Sequence, residues 1–281
     1  MTEIPAATRM GAVRLTVADL ERSLDYYRTL IGLEVLAREN GTARLGGGGG
    51  SELLVLDEQS GAEPSDGYTG LFHFALLVPE RADLARWLAH GIRDRVPLTG
   101  LSDHYVSEAI YLRDPDHHGI EIYADRPREL WEGQVGRRMT TLPLDVDDLV
   151  GELGESGSEP FDGLPGGTVI GHVHLKAAEI PPTTAFYRDV LGFEVTVEAG
   201  SQAVFLAAGG YHHHLGANTW ESAGAAPPPA GTAALRHATV VLPSAADRDQ
   251  LLGRVEQEPE DTPDGPLVRD PSGNGLVLAA A

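Results

Sequence analysis

Shifted by 160 positions, the chain matches itself: GAVRLTVADLERSLDYYRTLIGLEV, from Gly11, lies on GHVHLKAAEIPPTTAFYRDVLGFEV, from Gly171. Gly11/Gly171, Val13/Val173, Leu15/Leu175, Ala18/Ala178, Tyr27/Tyr187, Arg28/Arg188, Gly32/Gly192, Glu34/Glu194 and Val35/Val195 coincide. In the same way HFALLVPERAD, from His73, lies on HATVVLPSAAD, from His237, and RDPDHHGIEI, from Arg113, on RDPSGNGLVL, from Arg269. Such self-similarity constrains the fold more than any single motif, because each repeat must be one structural unit with the same element order. The chain is a duplication whose halves each hold two similar blocks, here modules one to four in chain order.

Each module opens on a short strand with alternating apolar positions, such as VRLTV. A helix follows. In module one Leu20, Leu24, Tyr27 and Leu30 recur at helical spacing behind Asp19, which is placed to cap it. In module three Pro181 and Pro182 stand where a first helical turn tolerates proline. Gly32 and Gly192 stop these helices, and the rest reads as short strands, giving the order β-α-β-β-β four times. Gly46 to Gly50 read as a loop between strands. Residues 127–167 carry no repeat and are rich in Asp, Glu, Gly and Pro; they read as a linker with one helix around Leu144 to Leu153. Ala223 to Gly231 joins modules three and four. The expected domains are 1–126 (modules one and two) and 168–281 (modules three and four).

Charge and composition then limit the partners. The 281 residues include 42 acidic and 21 basic side chains, a net charge of −21, which repels phosphate backbones and anionic lipid and argues against nucleic acid and membrane surfaces. There is no Cys, so disulfides, thiol nucleophiles and thiolate metal sites are excluded, and a reducing compartment is compatible. With no basic n-region ahead of an apolar core, and no apolar run near ~18 residues, the expected location is the cytoplasm.

The paired β-α-β-β-β modules, the Asp-Leu…Tyr-Tyr-Arg…Gly helix signature and the strand DPDHHGIEI together resemble the vicinal oxygen chelate superfamily, across nearly the whole chain outside the linker. GLFHFALLVP, SEAIYLRDPDHHGIEIYADRP and AGGYHHHLGANTW are most similar to two-domain bacterial catechol 2,3-dioxygenases. The resemblance implies an α+β fold in which the four βαβββ modules form two curved sheets with flanking helices. It also implies a metal on the concave face of a module pair, held by a first-strand His from each module and a last-strand Glu. Independently, two His and one carboxylate facing open positions is the set that non-haem Fe(II) oxygenases need.

Carried over residue by residue, the resemblance places His73 and Glu121 of module two as metal ligands, with His104 and Tyr111 (ten residues before Glu121) at substrate positions. Module four keeps His237, but a shift of 156 puts Leu267, Val277 and Glu260 where module two has Tyr111, Glu121 and His104. Module three offers His172 as a ligand, His174 on the same strand face, and the run His212-His213-His214 where an acid–base histidine is expected. Strand alternation puts His213 on one face and His212 with His214 on the other, and the resemblance favours His213 in that role, with His214 close behind. Module one has Ala12 in place of His172, and Glu52 to Leu54 supply no His. If modules pair within each half, both sites are defective. If module two pairs with module three, one site receives His73, Glu121 and His172, and the other, between modules one and four, is empty. The complementary losses favour the second pairing.

Blander readings stand beside these. A lone strand His is more often packed or solvated than a ligand, which is the reading for His237. His117 and His118 read as solvated turn residues, Arg113-Asp114-Pro115 as a turn device, and Tyr123 as packing under the metal. The implied function is an Fe(II)-dependent extradiol dioxygenase cleaving catechol or a substituted catechol, with Mn(II) able to use the same ligands. Its partners would be a small aromatic diol and dioxygen, and homo-oligomer formation is left open. The alternatives are a hydroquinone dioxygenase, a glyoxalase-type lyase or a metal-free aromatic-binding protein. A glyoxalase would usually use two carboxylates, and only Glu121 stands at a ligand position.

Overall fold

A computed structural model describes residues 3–154 and 161–281. The fold is α+β, and all four modules run β-α-β-β-β. Among the described residues they build one eight-stranded and one nine-stranded mixed sheet, plus a small two-stranded ribbon. Each large sheet takes one module from each half of the chain. In the eight-stranded sheet the module-one strand Arg9–Val17 lies antiparallel to the module-four strand Leu235–Leu242. In the nine-stranded sheet the module-two strand Gly70–Leu77 lies antiparallel to the module-three strand Val169–Lys176. Of the two pairings open at the level of sequence, the sheet order is the one between modules two and three.

The local signals act as expected. The Asp19 side chain accepts the Arg22 N–H at 3.0 Å and caps helix Leu20–Tyr26, while Pro181 and Pro182 sit in the first turn of helix Ile180–Ala185. Glu80 and Asp83 form a capping box on helix Arg81–Arg93. Gly32 ends the module-one helix with φ of 90°, and an added Cβ would come within 2.7 Å of the Phe161 ring, so both conformation and space require glycine.

The Arg-Asp-Pro run is a turn device with a second task. Buried Asp114 accepts the backbone N–H groups of Asp116 and His118, and also the hydroxyl of Tyr27 from the module-one helix at 2.8 Å. Asp270 repeats this with Ser272, Asn274 and Tyr187 of module three. The Tyr and Asp that coincide across the repeat are thus partners. They lock each helix of one sheet to a turn of the other, so the two modules of each half stay together although their strands belong to different sheets. His118 is correspondingly not solvated: it is buried, and its Nε2 lies 2.9 Å from the carbonyl of Thr16. His117 is exposed, 2.8 Å from Asp66.

The described residues of the 127–167 stretch include several short elements. Short helices at Arg128–Leu130 and Val135–Arg138 precede strand Leu142–Pro143, which pairs with Gly100–Asp103 at the edge of the nine-stranded sheet. The helix expected near Leu144 to Leu153 spans Val146–Gly151 and is capped by Asp145. No helix among the described residues is long and apolar enough to cross a membrane.

Candidate active site

Three adjacent strands of the nine-stranded sheet bring the candidate ligands together. In the register, Ala75 on the central strand lies opposite Glu121 on one neighbour and His172 on the other. His73, two residues before Ala75, shares its face. With strands about 4.8 Å apart, side chains at these positions converge above the small Ala75. One ligand atom each from His73, Glu121 and His172 falls within 4.8 Å of the others, and all three residues are buried. Glu121 Oε2 is 3.0 Å from His172 Nε2, with which it is hydrogen-bonded, and 3.0 Å from His73 Nε2.

His73 Nε2 is close to that oxygen but makes no hydrogen bond with it, so it is a buried orphan. An unsatisfied buried group costs about 1–3 kcal/mol, and a cation held between the two imidazoles and the carboxylate would satisfy it. Burial alone would raise the Glu121 carboxyl, but the adjacent His172 and His73 rings outweigh it and hold the group well below the carboxylate range. Burial also pushes His172 down, which keeps it neutral. An ionised carboxylate beside a neutral His172 is a donor state that divalent metal binding requires.

Tyr111 lies directly opposite Glu121 in the register, and its hydroxyl is 2.7 Å from His104 Nε2. His104 Nδ1 is 2.7 Å from the Thr140 carbonyl, which can only accept, so Nδ1 carries the proton and Nε2 accepts from Tyr111. Burial, then the Glu121 charge, raises the Tyr111 phenol well above its usual range, so it stays a donor.

The three consecutive histidines are buried and have three different tasks. They precede strand Leu215–Asn218 rather than lying on it, so loop hydrogen bonds orient them, not strand alternation. His213 reaches the cavity, its ring centroid 4.1 Å from that of His172. Burial, reinforced by His172 and His212, holds it well below the ordinary imidazole range. His214 Nδ1 accepts the Ala208 N–H at 3.1 Å, and burial pushes its pKa down to about 4. The His212 ring is tied to Asp125 at 2.8 Å. His174 also lines the cavity, directly opposite His73 in the register, with a buried Nε2 that has no partner. Burial and the nearby imidazoles hold it well below its usual range. Tyr123 packs beneath His172, ring centroids 4.8 Å apart.

Above these groups opens a cavity of about 530 Å³ walled by Phe72, Val197, Phe205, Trp220 and Met139.

The Glyoxalase/Bleomycin resistance protein/Dioxygenase superfamily matches residues 9–122 and 169–278, one match on each half of the duplication. The chain belongs to this superfamily. It is 42% identical to the catechol-2,3-dioxygenase of Bacillus subtilis (strain 168), an alignment that covers 99% of both chains. Among solved structures it resembles glyoxalase I from Zea mays, with a TM-score of 0.58 and 16% identity over 98% of this chain and 92% of that one. It also resembles the cppA protein from Streptococcus pneumoniae TIGR4, with a TM-score of 0.54 and 13% identity over 97% and 99% of the two chains. At such identities the structural likeness is one of fold.

The chain's other module pair, one and four, carries ion pairs on the corresponding strands. Arg14, which the repeat places at the position of His174, lies 2.6 Å from Asp57 and 2.6 Å from Asp264. His237 stands 3.3 Å from that same Asp264, and Val277 is buried where module two has Glu121. Two contributions to the first site had no signal in the repeats. Met139, Thr140 and Thr141, from the 127–167 stretch, line the cavity, and Asp125 and Tyr211 surround His212.

Proposed function

We propose that this chain is an Fe(II)-dependent extradiol dioxygenase that cleaves an uncharged catechol, with His73, Glu121 and His172 as metal ligands. The observation that carries the reading is the convergence of these three buried side chains on one point beneath an apolar cavity. The 42% identity to a catechol-2,3-dioxygenase supports the reaction class. A single carboxylate in the cluster argues against a glyoxalase-type ligand set.

Iron in such a site supplies adjacent open positions for an ortho-diol and dioxygen, and so brings the two reactants side by side. The protein's share is position and protons. Phe72, Phe205 and Trp220 hold the ring and exclude water. His213 takes a proton from a diol hydroxyl and returns it later in the turnover. His104 and Tyr111 hydrogen-bond a diol oxygen and its ketonised form. The bond beside the diol breaks, both atoms of dioxygen enter the product, and a ring-opened semialdehyde leaves.

The cavity also suggests what the ring carries. Among its described lining residues the one guanidinium or ammonium is Arg113, already engaged by Glu221 at 3.2 Å and Asp66 at 3.7 Å. With no free cation for a ring carboxylate and with apolar walls, hydrogen, alkyl or halogen substituents fit better. The test is oxygen uptake and product absorbance with Fe(II)-loaded protein. A yellow ring-opened product from catechol or 4-methylcatechol, but not from a carboxylated catechol, is the expected result. Oxygen uptake without the chromophore would indicate another cleavage, and no uptake with any diol would overturn the assignment.

A further inference from the structure

His212 is the member of the histidine run whose ring reaches neither the cavity nor a backbone group. It is fully buried, against Tyr211 at 3.9 Å and Trp131 at 5.5 Å between ring centroids. Its Nε2 lies 2.8 Å from Asp125 Oδ1, and its Nδ1 lies 2.8 Å from Nδ1 of His213. The other Asp125 oxygen accepts the Tyr211 hydroxyl at 2.9 Å.

The proton positions follow from the partners. A carboxylate only accepts, so His212 Nε2–H is the donor to Asp125. With its one proton on Nε2, a His212 imidazole offers only a lone pair at Nδ1, and the group placed to donate to it is His213 Nδ1–H. His213, whose ring lines the cavity, is then left with its Nε2 lone pair free. We infer that Asp125 and His212 are positioning residues that lock His213 in its Nδ1–H tautomer and so make Nε2 the proton acceptor for a bound diol.

The arrangement is built from the same strand as the candidate metal site. Asp125 lies four residues beyond Glu121 on strand Gly119–Asp125, hence on the same face. One pleat therefore aims a candidate ligand at His172 and an anchor at His212. In the proton step the diol O–H bond breaks and Nε2–H forms. The resulting imidazolium is opposed through two hydrogen bonds by the Asp125 carboxylate, much as a buried aspartate orients the histidine of a hydrolase triad.

The catalytic arm of the test rests on the ring-cleavage reading; the tautomer arm does not. Imidazole ¹⁵N shifts of histidine-labelled, full-length, metal-free protein should show His213 protonated at Nδ1. That signature should be lost in Asp125→Ala and in His212→Phe, which keeps an aromatic ring in the buried slot. It should persist in Tyr211→Phe, which removes the other hydrogen bond to Asp125. In Fe(II)-loaded Asp125→Ala, kcat for catechol should fall about 10–100-fold, with iron content and KM near those of the parent. A parent His213 protonated at Nε2, or an Nδ1–H signal that survives both Asp125→Ala and His212→Phe, would overturn the inference. Should the parent fail to cleave any catechol, the ring-cleavage reading falls and the tautomer result decides the relay alone.

Discussion

Ala75 is the one small residue on which the geometry of the candidate centre depends. It is fully buried, lies between Glu121 and His172 in the register, and packs with Ala109 and Tyr123. Replacing it with Leu puts an isobutyl group where a methyl stood, directly under the converging ligands. Overpacking of this kind costs about 1–3 kcal/mol. The closest movable groups are the ligand side chains themselves, so much of that strain should appear as displaced ligands. At about 1.4 kcal/mol per factor of ten, iron binding should weaken roughly 5–150-fold. Ala75→Gly, which adds no volume and costs a strand about 0.5–1 kcal/mol, should bind iron like the parent. Anaerobic Fe(II) titration of the three proteins, with thermal unfolding of each metal-free form, separates the effects. If Ala75→Leu unfolds earlier yet binds iron with the parent's affinity, the ligands do not converge over Ala75 and the geometry argued here is wrong.

Tyr27→Phe leaves a buried Asp114 oxygen without its 2.8 Å partner and should lower stability by about 1–3 kcal/mol, read as a drop in Tm; an unchanged Tm would remove the helix-to-turn lock. Burial holds His172, His174, His213 and His214 below the ordinary imidazole value of 6.5, His214 at about 4. Their folded-state values are depressed, so between that value and about 4 the unfolded chain binds more protons than the folded one. The stability of the metal-free protein should therefore fall as pH drops from 6.5 toward 4, and a flat Tm over that range would contradict the burial of these rings. His237→Ala, which removes a group beside Asp264 in the second module pair, should leave iron content and ring cleavage at the parent's level.

Most of the fold was legible because the repeat fixes element order, and Asp19, Pro181 and Gly32 punctuate it at the level of single residues. Module pairing was legible only indirectly, through Ala12 and Val277 standing where ligands would be needed. His213 alone of the run faces the cavity, as the sequence suggests, but the cause is not strand alternation: the run is a loop, where hydrogen bonds to Ala208, Asp125 and a neighbouring ring replace sheet periodicity. The burial of His118 has no local signal because it comes from module one, 102 residues away in sequence. Thr140 gave no signal, since it holds His104 with a backbone carbonyl, which every residue type carries.

The most direct measurement is iron stoichiometry with catechol turnover for the parent, His73→Ala, Glu121→Ala and His172→Ala, each full-length and loaded anaerobically. His73 and His172 come from opposite halves of the chain, on adjacent antiparallel strands. The parent should hold one Fe(II) per chain and give the ring-opened product, and each variant, His172→Ala as completely as His73→Ala, should lose both. Full iron occupancy and turnover in His172→Ala would contradict a centre shared between the two halves.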